Sequence, residues 1–152
     1  MLFRSGIDIE PNSPEFCANG TFVNCYFYDN YGVGILTVGD VSNCTFVNCT
    51  SIGTTNSSLW NPGTYMKYLG CYFNGKIFYP GPISGSMEKT HSKFYGCRIA
   101  MVSADSPTTS IFGNYCDFSN SQYAYFDDCA FEADGSHQLP FSVGTKIGRA
   151  HV

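Results

Sequence analysis

The chain has 152 residues, 43% hydrophobic and 16% aromatic but only 13% charged, with a formal net charge of −4. That length suffices for one domain with its own core, and an aromatic-rich, charge-poor composition suits β-structure with half-buried rings. The absence of any apolar run of about 18 residues excludes a transmembrane helix, and an acidic chain with no basic run argues against nucleic-acid binding.

In chain order, the first segment is "MLFRS", residues 1–5. It matches the reverse complement of a common sequencing adapter, read GTG CTC TTC CGA TCT. The last segment, "IGRAHV" at 147–152, matches the forward adapter, ATC GGA AGA GCA CAC GTC, and the Lys146 codon AAG supplies the preceding AG. Both ends therefore read as adapter-encoded rather than native. The native segment is 6–146, a fragment open at both ends, with six Lys/Arg against twelve Asp/Glu and a net charge of −6.

Within 6–146 a short pattern recurs. "FVNCYF" (22–27), "VSNCTF" (41–46), "YLGCYF" (68–73), "FYGCRI" (94–99) and "FDDCAF" (126–131) share the form apolar–x–[Asn/Gly/Asp]–Cys–x–[Phe/Ile]. "FGNYCDF" (112–118) is a looser sixth copy with one extra residue. Alternation of inward and outward residues breaks between the apolar residue and Cys, where a simple strand would keep period two. Asn24, Asn43, Gly70, Gly96 and Asp128 sit at the break. These residue types tolerate a left-handed backbone. Each copy thus reads as strand, one-residue bend, strand.

In this alignment Cys25, Cys44, Cys71, Cys97, Cys116 and Cys129 form an inward ladder, and Phe46 aligns with Phe27. Further apolar segments fall between the copies, at 6–10 ("GIDIE"), 34–38 ("GILTV"), 76–79 ("KIFY") and 139–143 ("LPFSV"). Three short strands per repeat describe one coil of a parallel β-helix. About six coils at about 4.8 Å each make a rod of roughly 29 Å, incomplete at both ends. An antiparallel β-sandwich also has short strands, but it does not account for the recurring bend-then-Cys register.

The repeat resembles the right-handed parallel β-helix proteins of the pectin-lyase-like superfamily, whose coils commonly carry an Asn at the bend followed by a small inward residue. The resemblance spans nearly all of 6–146, and "GIDIEPN" (6–12) is similar to segments of phage and gut-bacterial members. It implies an all-β, right-handed solenoid that binds or degrades polysaccharide, in a phage tail-spike or a bacterial surface or secreted protein. A tail-spike would be homotrimeric. If the chain is an enzyme, it implies a glycoside hydrolase or polysaccharide lyase. The alternative is a non-catalytic structural rod or adhesin.

Several residues could carry chemistry. Asp8 and Glu10 alternate with Ile7 and Ile9, so both carboxylates face outward about 7 Å apart, a spacing compatible with acid–base glycoside cleavage. "GIDI" is similar to part of the polygalacturonase pattern. Asp29-Asn30 stands where that family has a double Asp, and its Gly-His-Gly and Arg-x-Lys elements are not in this chain. Asp8, Glu10 and Asp29 are the acid/base candidates. Tyr26, Tyr28, Tyr72 and Trp60 are stacking platforms for sugar rings. Arg98 and Asp117 are read as a neighbouring outward pair, worth under about 1 kcal/mol if solvated.

The segments 56–65, around Trp60, and 78–93, with His91, read as long loops. They either shape a groove or, at Trp60, seal the core. Four N-x-[Ser/Thr] sequons occur, at Asn19, Asn43, Asn48 and Asn56; as glycosylation sites they would imply secretion in a eukaryote, but Asn43 and Asn48 read instead as bend and turn residues next to Thr. Coils spaced about 4.8 Å apart place stacked Cys beyond comfortable disulfide reach, so the ladder reads as free, buried thiols. No C-x-x-C pair exists, and the reading calls for no metal or cofactor.

Overall fold

The computed structural model describes residues 5–10, 15–37, 41–52, 57–60, 63–78, 91–101, 116–117, 123–133 and 146–151. These are all-β, with no helix among them. In chain order the strands are β1 (Ser5–Ile9), β2 (Cys17–Ala18), β3 (Thr21–Val23), β4 (Tyr26–Tyr28), β5 (Val33–Thr37), β6 (Val41–Ser42), β7 (Thr45–Val47), β8 (Thr50–Ile52) and β9 (Ser57–Trp60). They continue as β10 (Met66–Leu69), β11 (Tyr72–Asn74), β12 (Ile77–Phe78), β13 (His91–Tyr95), β14 (Arg98–Met101), β15 (Cys116–Asp117), β16 (Tyr123–Ala133) and β17 (Lys146–His151).

Every pairing between these strands is parallel, and each joins segments one repeat apart. One sheet runs β1-β5-β9-β12-β15. A second runs β3-β7-β10-β13-β16 and returns through β14-β11-β8-β4. The eleven-residue β16 belongs to both halves because it bends at Asp128, φ 54°. The two halves therefore form separate faces that meet along a line of bends.

That line consists of Asn24, Asn48, Gly70, Gly96 and Asp128, with φ of 56°, 51°, 61°, 58° and 54°. Asn, Asp and Gly reach this region at low cost, whereas other residues lose about 1–2 kcal/mol there. Tiers remain hydrogen-bonded through the bend: Asn24 N donates to Val47 O, Asn48 N to Leu69 O, Gly70 N to Tyr95 O and Gly96 N to Asp127 O, at 2.8–2.9 Å. At Gly70 a Cβ would lie 2.6 Å from Asn48 Oδ1. A side chain at Gly70 therefore requires the Asn48 amide to swing aside, on top of the demand made by the φ of 61°.

The register corrects the sequence alignment in the second tier. Thr21, Phe22 and Val23 pair with Thr45, Phe46 and Val47, so "TFVNC" lies on "TFVNC". Phe46 stacks on Phe22, centroids 4.6 Å apart, and not at the level of Phe27. The thiol ladder is accordingly Cys25, Cys49, Cys71, Cys97 and Cys129. Cys44 follows a second bend, Asn43 (φ 53°), stacked on Asn19 (φ 63°). A Cβ on Gly20 would come within 3.3 Å of its sulfur.

The other displaced residue is Cys116. Its strand β15 pairs with β12 in the five-stranded sheet (Ile77 with Cys116, Phe78 with Asp117), so it is no rung of the ladder. Five rungs, rather than about six coils, stand among the described residues. The third strand of the second tier is β9, inside the stretch read as a loop. The ends of the other expected loop, Phe78 and 91–93, belong to β12 and β13. Residues 139–143, Asn56 and most of 78–93 lie outside the described residues. Residues 147–151, read above as adapter-encoded, fall in β17, whose register against β16 slips between Phe126/Asp127 and Asp127/Cys129.

Two columns fill the core. Phe22, Phe46, Tyr68, Phe94 and Phe126 stack nearly parallel at 4.6, 5.4, 4.7 and 4.7 Å, and the last four are fully buried. Each such ring contributes about 1.5–3 kcal/mol by leaving water and about 0.5–1.5 more by ring contact. The facing column is Phe27, Ser51, Phe73, Ile99 and Phe131. Ser51 breaks the apolar run because β5 approaches closely. A Cβ on Gly34 would lie 1.8 Å from Ser51 Oγ, which donates to Ser58 O at 2.7 Å.

Candidate functional site

The outward side chains of β4, β8, β11, β14 and β16 form one column: Tyr26, Thr50, Tyr72, Arg98 and Ala130. Period-two alternation puts them on the surface opposite the Phe27–Phe131 column. Tyr26 and Tyr28 are 63% and 50% exposed, and their rings lie side by side, centroids 5.9 Å apart and 13° from parallel. Two tiers along, the Arg98 guanidinium carbon sits 4.4 Å from the Tyr72 ring centroid, a cation–π arrangement. The same guanidinium grips Glu132 as a fork, Nε to Oε1 at 2.8 Å and Nη2 to Oε2 at 2.6 Å.

Glu132 replaces Asp117 as the partner of Arg98. Ala100 pairs with Glu132 in the next tier, whereas Asp117 pairs with Phe78 in the five-stranded sheet. The looser copy at 112–118, counted as a ladder rung, had put Asp117 one step too early. With both members near 40% exposed, the pair contributes little to stability. It does hold the guanidinium over the Tyr72 ring, giving the face a positioned planar donor beside exposed rings.

Asp8 and Glu10 do face outward, with Ile9 buried beneath them. Asp8 lies opposite Leu36 in the five-stranded sheet. Asp29 occupies a bend with φ 52° and its backbone N donates to Ile52 O, the role Asn fills at neighbouring bends. No hydrogen bond or ion pair joins the three carboxylates among the described residues. Trp60 is half-buried at the end of β9, opposite Leu36 and Phe78, so it is a strand residue of the five-stranded sheet. The four aromatic candidates thus separate, with Tyr26, Tyr28 and Tyr72 on one face and Trp60 on another.

Cys17, Cys25, Cys44, Cys49, Cys71, Cys97 and Cys129 are free. The four rungs after Cys25 each bring the S–H within reach of the aromatic-column carbonyl one tier back, Cys49 to Phe22 O, Cys71 to Phe46 O, Cys97 to Tyr68 O and Cys129 to Phe94 O, at 3.3–3.5 Å, and all five also reach the carbonyl two residues before them, at 3.4–3.6 Å. Burial raises the pKa of Cys44 and takes that of Cys49 up to about 11. Cys97 is also raised, first by its hydrogen bonds with Cys129 and Cys71, then by burial. Cys71 and Cys129 are lowered, Cys129 to about 7, in each case first by the hydrogen bond with Cys97; in the core the stacked thiols pack as small apolar fillers with a weak donor. No group of three or more His, Cys, Asp or Glu among the described residues is arranged to hold a metal ion.

Sequence reasoning passed over one further surface feature. On the adjacent face a recess of about 410 Å³ is lined, among the described residues, by Asn43, Tyr65, Lys67 and Lys93. It was hidden because Lys67 and Lys93 are 26 residues apart in the chain and meet only once β10 pairs with β13.

No protein-family model, curated protein or solved structure matches this chain.

Proposed function

We propose that the chain is part of a right-handed parallel β-helix of the pectin-lyase-like kind, and that its outer face binds polysaccharide. Consistently parallel pairing between repeats supports the β-helix. The right hand follows from the general preference of parallel crossovers. The observation that carries the binding role is the face of β4, β11 and β14, where exposed Tyr26 and Tyr28 share one surface with the Tyr72–Arg98–Glu132 cluster. Aromatic faces take sugar rings by stacking, and a held guanidinium supplies directed donors to hydroxyl or carboxylate oxygens. A tail-spike or a bacterial surface or secreted protein is the setting such a face suits. In a tail-spike three copies would assemble.

Binding is favoured over cleavage because Asp8 and Glu10 extend from β1 while Asp29 is engaged in a bend. A glycoside hydrolase or lyase activity through them is the enzymatic form of the proposal. A non-catalytic rod is the competing reading, favoured by the regular thiol and aromatic ladders.

The test is a panel of hexasaccharides (cellohexaose, maltohexaose, a galacturonate oligomer and a carrageenan oligomer) titrated calorimetrically, with reducing-end and unsaturated-uronate assays alongside. Binding weakened by Tyr26→Ala, Tyr28→Ala and Tyr72→Ala supports the reading. Binding indifferent to all three, or no binding, favours the rod.

A further inference from the structure

We infer that the stacked thiols of Cys25 and Cys49, at the first tier of the ladder, form a two-coordinate site for a soft monovalent cation, copper(I), held between the two sulfurs. The site belongs to the core edge and is independent of the polysaccharide reading.

The register fixes the pair. Val23 lies opposite Val47 and Tyr26 opposite Thr50, so the two bends and the cysteines that follow them fall in step. Thr50 N donates to Cys25 O at 2.8 Å, and the Cys49 thiol is hydrogen-bonded with that of Cys25. Both cysteines are free. Parallel tiers stand about 4.8 Å apart. Two metal–thiolate bonds of about 2.3 Å make a linear sulfur–metal–sulfur unit about 4.6 Å long. That unit fits between in-step side chains with no movement of the backbone. A disulfide fits less well, because its Cβ atoms prefer a separation of about 3.8 Å.

The sheet edge makes this rung the one an ion can reach. β3 and β4 are the end strands of their sheet. Among the described residues, the partly buried apolar side chains packed on the core are Ile7, Cys17, Phe22 and Cys25, all from the first tier. Cys25 is half-buried, whereas Cys49, Cys71, Cys97 and Cys129 are at most 1% exposed. An ion enters beside Cys25 and meets the second sulfur one tier in. The surrounding charge draws cations, since residues 5–66 hold five Asp/Glu and no Lys/Arg.

The donor set selects the ion. Structural zinc takes four ligands, and no group of three or more His, Cys, Asp or Glu is arranged for a metal among the described residues. Two sulfurs suit a soft closed-shell ion satisfied by two ligands, and thiolate selects copper(I). Loading breaks two S–H bonds, forms two Cu–S bonds and releases two protons to water, with copper remaining copper(I). Phe22 O and Val47 O each lie 3.5 Å from the Cys49 sulfur. Their negative ends disfavour two bare thiolates and favour a cation between the sulfurs. The loaded pair carries one negative charge. At the edge that charge stays near water, while at Cys97 it would be desolvated without a partner. Cys17 and Cys44 also touch, but out of step, because Cys17 lies opposite Val41.

The test is anaerobic titration of the reduced full chain with copper(I) against the colorimetric chelator bicinchoninate. At least one equivalent should transfer to the chain, with circular dichroism unchanged on loading. Cys25→Ser should remove one equivalent, and so should Cys49→Ser. If circular dichroism shows Cys49→Ser unfolded, the half-buried Cys25→Ser decides alone. In Cys17→Ser the Cys25-dependent equivalent should remain, and X-ray absorption at the copper edge of that loaded chain should show two sulfur neighbours. Zinc(II), titrated against a zinc chelator, should stay with the chelator. The inference is overturned if bicinchoninate keeps all the copper, if Cys25→Ser takes as many equivalents as the parent, if copper has one sulfur neighbour or three, if loading unfolds the chain, or if zinc binds as tightly as copper.

Discussion

The sulfur of Cys97 lies 3.3 Å from the carbonyl oxygen of Tyr68, one tier back and in the aromatic column. The same link recurs from Cys49 to Phe22, Cys71 to Phe46 and Cys129 to Phe94. Cysteine follows the bend because the position needs a residue that is small, apolar and able to donate weakly across tiers. Replacing Cys97 by Ala should lower stability by about 1 kcal/mol, from the lost donor and a small cavity. Cys97→Leu should cost about 1–3 kcal/mol by overpacking. Urea-unfolding midpoints measure both. An alanine variant as stable as the parent removes the cross-tier role.

Buried thiols also set a pH dependence. An unfolded thiol ionises near 9.0, whereas Cys49 in the fold holds its proton up to about 11. Between these values the folded state binds more protons than the unfolded state, so stability falls as pH rises. The slope is up to about 1.4 kcal/mol per pH unit for one such thiol. Urea midpoints taken across pH 9 to about 11 should decline, and Cys49→Ala should decline less. Equal slopes in the two chains contradict this assignment.

Gly34 and Ser51 form a coupled pair. Gly34→Ala drives a Cβ to within 1.8 Å of Ser51 Oγ and 2.8 Å of Ser58 O, so it should destabilise by at least about 1–3 kcal/mol. Adding Ser51→Gly clears the side-chain clash but not the carbonyl. The double variant should recover part of the loss, and a strictly additive double-mutant cycle refutes the contact.

The ion pair of Arg98 and Glu132 is a device for orientation more than for stability. Glu132→Gln should change the unfolding free energy by less than about 1 kcal/mol, yet weaken saccharide binding on that face by freeing the guanidinium. Arg98→Lys should do the same, because an ammonium cannot keep the planar fork. A large stability loss with unchanged binding reverses the assignment.

The bends were legible in the sequence because Asn, Gly and Asp are the residues that left-handed backbone admits. The rungs at Cys25, Cys71, Cys97 and Cys129 followed from them, but Cys116 did not: its strand pairs with Ile77 and Phe78 in the five-stranded sheet. The second tier misled because it carries two Asn-Cys dipeptides, at 43–44 and 48–49, each on a true bend. Only hydrogen-bond register distinguishes them, and it selects Asn48-Cys49. Trp60 looked like a loop residue beside Pro62, but β9 takes its place from its neighbours β5 and β12. The Arg98–Glu132 and Lys67–Lys93 pairs were illegible for one shared reason. Each joins residues brought together by tier spacing, and variable connection lengths hide that spacing in the chain.

The most direct measurement of the proposed function is the ¹H–¹⁵N resonance of the Arg98 side-chain Nε–H. Its hydrogen bond to Glu132 should make it resolvable, and it is read during titration with the tightest-binding hexasaccharide of the panel. The account predicts a saturable shift of this resonance, abolished by Tyr72→Ala. A resonance that stays fixed while the saccharide binds, or a panel with no binder, contradicts it.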